Sequence, residues 1–249
     1  MLTAGLAGAA VSTPRAADVT VEMPTLRVSA PESLKMYEPL IAAVLTDAGT
    51  KPILGFYPAS RSRLMFTSGA AEAEFFRIGS LSADYPPGVI FIGPLQSVRF
   101  GMFIRAADPQ LQGKPAEFLW QQTLGYVRGT LAVEALIKSK NIAKVEIVER
   151  PAAVKMLLAG RMDVLIDSER LLLTELQETN TTGAIKLAAT VLEEPTYLLL
   201  HPKAKMLEPA IKEAVQRWLQ SGRWQREYQR INKLNGLPPD MSLIKDPVQ

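Results

Sequence analysis

The chain contains no cysteine and a single histidine. Lack of cysteine excludes disulfide staples, thiolate zinc sites and cysteine nucleophiles. One histidine excludes histidine-pair metal motifs. It also makes any Ser-His-Asp arrangement depend on His201, which precedes Pro202 at the close of an apolar run and reads as a strand-end residue. Like charges never run to five in succession, so there is no basic arm or acidic tail. The net charge of +3, from 28 basic and 25 acidic residues, is too small and too dispersed to call for a nucleic acid. No stretch reaches the roughly eighteen apolar residues that span a bilayer. Nothing in the sequence asks for a metal or a cofactor.

What is present is an ordinary globular composition, 47% hydrophobic and 21% charged, sufficient for a substantial core. Residues 1–17, MLTAGLAGAAVSTPRAA, are small and apolar with no helical or strand period. They read either as the tail of a secretory signal, with small residues at Gly8-Ala9-Ala10 but no basic region before them, or as a disordered leader. The absence of thiols suits an oxidising compartment.

From residue 25 the pattern is regular. TLRVSA (25–30) alternates as a strand, and Ser33 is positioned to cap the helix that follows. That helix closes at Gly49, with Pro39 kinking it or marking the start of its regular part. KPILGFYP (51–58) is a strand, SRSRLMFTSG (60–69) a short helix and EAEFFRI (72–78) a third strand. This β-α-β-α-β order predicts a parallel sheet with helices packed outside it. GVIFIGPLQSVRFGMFIRA (88–106) breaks the rhythm with two β-like runs around Gly93-Pro94.

A second round follows. QTLGYVRG is a strand and turn, 130–141 a helix, 144–150 a strand, 151–160 a helix opened by Pro151, and 162–168 a strand. A further helix (169–179), strands at 185–192 and 196–202, and an amphipathic helix (207–231) interrupted at Ser221-Gly222 complete the reading. Residues 18–105 with 193–249 are expected to form one lobe and 106–192 the other, with connecting strands near 104–107 and 192–196.

In parallel sheets ligands bind beyond the carboxyl ends of the strands. Arg128-Gly129-Thr130 ends a strand and opens a helix, so a glycine, free N–H groups and a hydroxyl coincide there. This is a carboxylate site, or else Thr130 only caps its helix. Arg77 ends the third strand, either as a bidentate carboxylate partner or as a solvated strand end. Arg61 places a cation in the first turn of a helix, against the dipole, which suggests a use at the cleft mouth. Tyr57, Phe100 and Tyr126 offer flat faces to a ligand or to the core, whereas Trp120, Trp218 and Trp224 read as packing. In LLAGRMDVLIDSE (157–169), Asp163 lies at the amino end of a buried strand and is read as structural. Asp167 lies at the carboxyl end and is expected to face the ligand, with Ser168 beside it. On this reading Asp167→Ala weakens binding and leaves stability nearly unchanged.

The order of these segments resembles the type II periplasmic solute-binding proteins, specifically the family-3, amino-acid-type substrate-binding proteins of ABC transporters, over about residues 25–231. The residues that carry it are LGYVRGT, VERPAAVKMLLAGRMDVLIDS, TYLLLHPKAKMLEPAIKEAVQRWLQSGRW and YPASRSRLMFTSGAAEAEFFR, the last similar to a variant subgroup. The resemblance implies an α/β fold of two hinged lobes, each a mostly parallel sheet flanked by helices. It also implies a periplasmic, non-enzymatic monomer that closes on a small polar, carboxylate-bearing solute and delivers it to a membrane permease. It favours Arg77 as a ligand residue. The position that carries the family's amino-group aspartate is Ser168 here, with Asp167 one residue earlier and on the opposite face of a strand. Two other readings of the same fold are a ligand sensor without transport and, less favoured, a dehydratase- or lyase-like enzyme using Asp167, Glu32 or Glu74.

Overall fold

A computed structural model describes residues 23–79, 85–140, 142 and 144–240; residues 1–17, read above as a leader, lie outside that range. Eight strands form one sheet in the order β2-β1-β3-β8-β4-β7-β5-β6. Strands β1 (Thr25–Pro31), β2 (Lys51–Tyr57) and β3 (Ala73–Ile78) alternate with helices α1 (Glu38–Asp47) and α2 (Ala59–Thr67). Then come the long strand β4 (Ile90–Arg105) and the short helix α3 (Ala116–Leu119). The second round is β5 (Leu124–Val127), α4 (Leu131–Lys140), β6 (Lys144–Ile147), α5 (Arg150–Leu158), β7 (Val164–Ser168) and α6 (Glu169–Glu178). It ends with the long strand β8 (Ile185–Leu200), α7 (Glu208–Gln220) and α8 (Arg223–Leu234).

Within each half the pairing is parallel: β1 with β2 and β3, β5 with β6 and β7. Strands β4 and β8 run antiparallel to each other and to the flanking β7 and β3. Local chemistry sets the element ends. Pro39 falls in the first turn of α1, after a 3-10 turn at Glu32–Tyr37, so it starts the regular helix and does not kink it. Gly222, in the left-handed region at φ 67°, separates α7 from α8 at the interruption read from the sequence.

Two of the expected segment boundaries are corrected. The runs on either side of Gly93-Pro94 belong to one strand, and so do 185–192 and 196–200. The irregularity at Gly93-Pro94 is a register shift between Ile92 and Gln96 within an unbroken ladder.

The core is divided. Leu26, Ile41, Leu95, Leu198, Trp218 and Trp224 belong to one cluster, made by β1, β3, α1, α7 and α8. Phe100, Met102, Leu124, Tyr126 and Ile166 belong to a second, and Phe103, Val154, Leu165 and Leu172 to a third on the opposite face of β7. Core membership on β4 therefore changes between Leu95 and Val98, and on β8 between Leu192 and Tyr197. The crossing on β4 lies at Gln96-Ser97, ahead of the 104–107 segment read from the sequence. Residues 100–104 are packed with the second half because alternate side chains of β4 face its two cores.

Trp224 is fully buried and meets Phe76 edge-on at 6.1 Å. Trp224→Ala is expected to lower unfolding free energy by about 3–5 kcal/mol, read as the urea midpoint; an unchanged midpoint would contradict the assignment of α8 to this core.

Candidate functional site

Antiparallel β4 and β8 set the two parallel sets head to head. Ile78, at the end of β3, is level with Thr196 and through it with Gln96, whereas Ser168, at the end of β7, is level with Phe100. Four residues of β4 separate these levels, roughly 13 Å at about 3.3 Å per residue. The carboxyl ends of β3 and β7, with those of β1 and β5 beside them, thus face one another across a gap of that length along β4 and β8.

On one face of the crossing strands the polar groups form a chain. Ser97 donates to the Glu193 carboxylate at 2.7 Å. Arg99 pairs with Glu169 at 2.9 Å, and Thr190 donates to the other Glu169 oxygen at 2.6 Å. These bonds tie the first turn of α6 to both crossing strands.

Asp167 is fully buried and held by a bidentate pair: Arg150 Nε donates to Oδ2 at 2.5 Å and Nη2 to Oδ1 at 3.1 Å. The Ser168 amide adds a third bond, at 2.7 Å. Burial works against the Arg150 charge, but the bonds and charge of Asp167 outweigh it and hold its pKa above the usual arginine value. The expectation that Asp167 faces the ligand and can be removed with stability nearly unchanged is therefore corrected: the carboxylate is turned to Arg150. Its carboxylate neutralises a cation of its own chain, so its loss strands a partly buried guanidinium. Asp163 is structural, as read, but its partners are the Thr123 amide (3.2 Å) and Arg105 (3.5 Å).

The carboxylate cradle at Gly129-Thr130 is also occupied from within. Gly129 has φ 85°, the left-handed conformation that a glycine accepts without strain. Its amide donates to Glu134 Oε1 at 2.6 Å, and the Glu134 amide donates to the Thr130 carbonyl at 3.0 Å. A glutamate of α4 is thus seated on the Gly129 amide, where a ligand carboxylate was expected. Arg128 is exposed and lies 3.7 Å from Glu146.

Arg77 is mostly buried. Its Nε donates to the Tyr85 hydroxyl at 2.8 Å and lies 3.6 Å from Glu74 Oε2. Glu74 is fully buried, and Ser62 donates to its other oxygen at 2.8 Å. Burial raises the Glu74 pKa above the usual carboxylate value, against the opposing pull of Arg77 and the Ser62 bond. The side chain expected to grip a solute is thus turned towards an acid of its own strand.

The aromatic candidates divide. Phe100 is core. Tyr126 is buried in the same cluster and donates to Glu146 at 2.8 Å; burial, then that acceptor, pushes its pKa up to about 12. Tyr57 folds back over Gly55, and Arg61 lies over its ring at 5.6 Å. Tyr57 lines a shallow hollow of about 100 Å³ with Arg27, Gly55 and Met65, on the α2 side of β1 and β2. His201 directly follows β8 and caps the 3-10 turn at Pro202–Leu207, its Nδ1 accepting from the Lys203 amide.

Contacts that the sequence reading did not single out join the two halves. Arg170, in the first turn of α6, donates to the Ser33 carbonyl at 3.0 Å and lies 5.9 Å from the Tyr37 ring centroid. It joins the turn after β7 to the turn after β1. A second contact, from Gln177 to the Gly236 carbonyl at 2.7 Å, joins α6 to the end of α8. Arg150 and Arg170 were legible by the argument applied to Arg61, since each is a cation in the first turn of a helix.

Among the described residues, no group of three or more His, Asp or Glu side chains is placed to hold a metal. No helix among them is long and apolar enough to cross a membrane.

No family model matches the sequence, and no curated protein matches it. Solved structures do. A histidine kinase sensor domain described as similar to periplasmic binding proteins aligns with TM-score 0.66 and 16% identity, over 84% of this chain and 95% of that one. An ancestral arginine-binding protein bound to arginine aligns with TM-score 0.65 and 16% identity, over 84% and 99%. The arginine-, lysine-, histidine-binding protein of Geobacillus stearothermophilus gives 0.63 and 16%, over 83% and 94%. The chain has the two-lobed α/β fold of type II periplasmic binding proteins.

Two measurements check the internal pairing. Asp167→Ala is expected to lower unfolding free energy by about 3–5 kcal/mol, because it leaves the Arg150 charge unpaired; a loss below about 1 kcal/mol would restore the reading of Asp167 as a ligand-facing group. Glu74 has its folded-state pKa raised, so its contribution to stability is intact below the unfolded pKa and is lost as pH rises through the folded one. Glu74→Gln removes that loss. The midpoint of the variant minus that of the wild type should grow more positive from pH 4.5 upward, and a difference that shrinks with pH would contradict the assignment.

Proposed function

We propose that the protein is a periplasmic, non-enzymatic solute-binding protein that closes its two lobes on a small polar, carboxylate-bearing solute and presents the closed form to an ABC transporter permease. The observation that carries this reading is the head-to-head arrangement of parallel strands. Four strand-end turns, two from each half, converge on a gap of solute size, and the halves are joined by two extended strands that can flex together. The solved structures of similar fold include amino-acid-binding proteins of ABC transporters, which supports the same solute class. The carboxylates near the gap are engaged in internal pairs and caps, Asp167 with Arg150 and Glu134 with Gly129, an arrangement suited to holding shape and not to moving protons.

A second reading, a sensor that binds solute without transport, is favoured by the likeness to the histidine kinase sensor domain. Neighbouring permease and ATPase genes support transport; a neighbouring kinase or cyclase gene supports sensing.

A thermal-shift screen with the twenty amino acids, small carboxylates and amines tests the binding reading. A solute present at one hundred times its Kd adds about 2.7 kcal/mol, which raises the midpoint of a chain this long by about 5–10 °C. Gel filtration at the monomer mass of 27.3 kDa should accompany it. A midpoint unmoved by every compound would overturn solute binding.

A further inference from the structure

We propose that Arg170, with Ser168 beside it, is the anchor for the carboxylate of the solute, in place of Arg77 and the Gly129-Thr130 turn. This inference rests on the solute-binding reading and names the groups that would carry it out.

Arg170 is only 8% exposed, yet no carboxylate among the described residues pairs with it. Its described partners are one carbonyl, that of Ser33, and the face of Tyr37. A guanidinium has five donors in a planar fork, and a single carbonyl leaves most of them without an acceptor. Its remaining donors keep only marginal contact with solvent; taking an unpaired charge largely out of water is costly, and a cation in the first turn of a helix also opposes the dipole. The partly buried cations near the gap are paired: Arg150 with Asp167, Arg99 with Glu169 and Arg77 with Glu74. Arg170 is the exception.

Its position gives that exception a use. Arg170 spans the two halves at the turns where ligands of such sheets bind. Two residues earlier, Ser168 is the N-cap of the ten-residue helix α6 but makes no capping bond. Its hydroxyl is buried with no hydrogen-bond partner. Buried hydroxyls are ordinarily satisfied. An uncompensated guanidinium and an unsatisfied hydroxyl on one strand-to-helix turn, at a helix N-terminus, match a carboxylate. The guanidinium fork takes both oxygens and the hydroxyl donates to one of them. A carboxylate bound there would neutralise the charge that bridges the lobes, which links solute binding to closure.

The test is calorimetry and thermal shift on the wild type and on Arg170→Gln, Arg170→Lys and Ser168→Ala. The probes are the twenty amino acids and succinate, with agmatine and cadaverine as carboxylate-free counterparts of arginine and lysine. The expected result is a carboxylate that shifts the wild type while its carboxylate-free counterpart does not. Kd should then rise about ten-fold or more in Arg170→Gln and about two- to ten-fold in Ser168→Ala. Arg170→Lys, which keeps the charge but not the fork, should fall between wild type and Arg170→Gln and guards against a misfolded glutamine variant. If carboxylates bind Arg170→Gln within two-fold of wild type, or if only carboxylate-free compounds bind, the anchor is wrong and solute binding stands. If nothing binds the wild type, the binding reading falls and this inference with it.

Discussion

Strands β4 and β8 lie side by side from Ile90 opposite Leu200 to Arg105 opposite Ile185. Each has sixteen residues, about 50 Å of extended chain. Because they are antiparallel to each other and to their outer neighbours, the parallel strands of the two halves must point at one another. Every candidate position in the gap follows from that. A sheet with β4 and β8 parallel would run both sets the same way, and only one of them would end where the halves meet. The pairing also couples the halves, since bending one crossing strand at Gln96-Ser97 bends the other at Glu193–Thr196. The side-chain bonds from Ser97 and Arg99 to Glu193 and Glu169 lie at this point.

Around that frame most charges are satisfied internally. The pairs Asp167–Arg150 and Arg99–Glu169 brace the turns on the second half, and Glu74 with Arg77 braces the end of β3. Such pairs fix geometry more than they add stability, because the attraction mainly offsets desolvation. The arrangement has a functional consequence. On the proposed reading, a solute would meet acids already paired, and among the described residues near the gap the buried guanidinium without a carboxylate is that of Arg170, which reaches from α6 to the 3-10 turn after β1. On that reading recognition and closure would fall on the same few atoms.

The fold was legible in the sequence because hydrophobic period and turn residues act locally. The β-α-β-α-β rounds, the start of α1 at Pro39 and the break at Gly222 are all set by residues within one turn of the event. The continuity of β4 was not legible. Gly93-Pro94 interrupts the alternation, and only the ladder with β8 carries the strand through it. Site chemistry was legible as position and not as partnership. Asp167, Gly129, Thr130 and Arg77 do sit at strand ends, but Asp167 pairs with Arg150, the Gly129 amide with Glu134, and Arg77 with Tyr85 and Glu74, pairings set by three-dimensional placement and not by the local pattern. Arg170 escaped notice for the opposite reason. Its sequence signal, a cation at a helix start, was read only at Arg61.

The central claim is that the two halves hinge on β4 and β8 and that solute draws their strand-end turns together. The chain lacks cysteine, so Ser60→Cys and Glu149→Cys, both exposed and at the carboxyl ends of β2 and β6, can carry the only two spin labels. The label-to-label distance distribution should be measured alone and with saturating L-arginine, L-glutamate, succinate and agmatine. The account predicts that a bound carboxylate gathers the distribution into one shorter distance. A distribution left unchanged by a compound that calorimetry shows to be bound would contradict it.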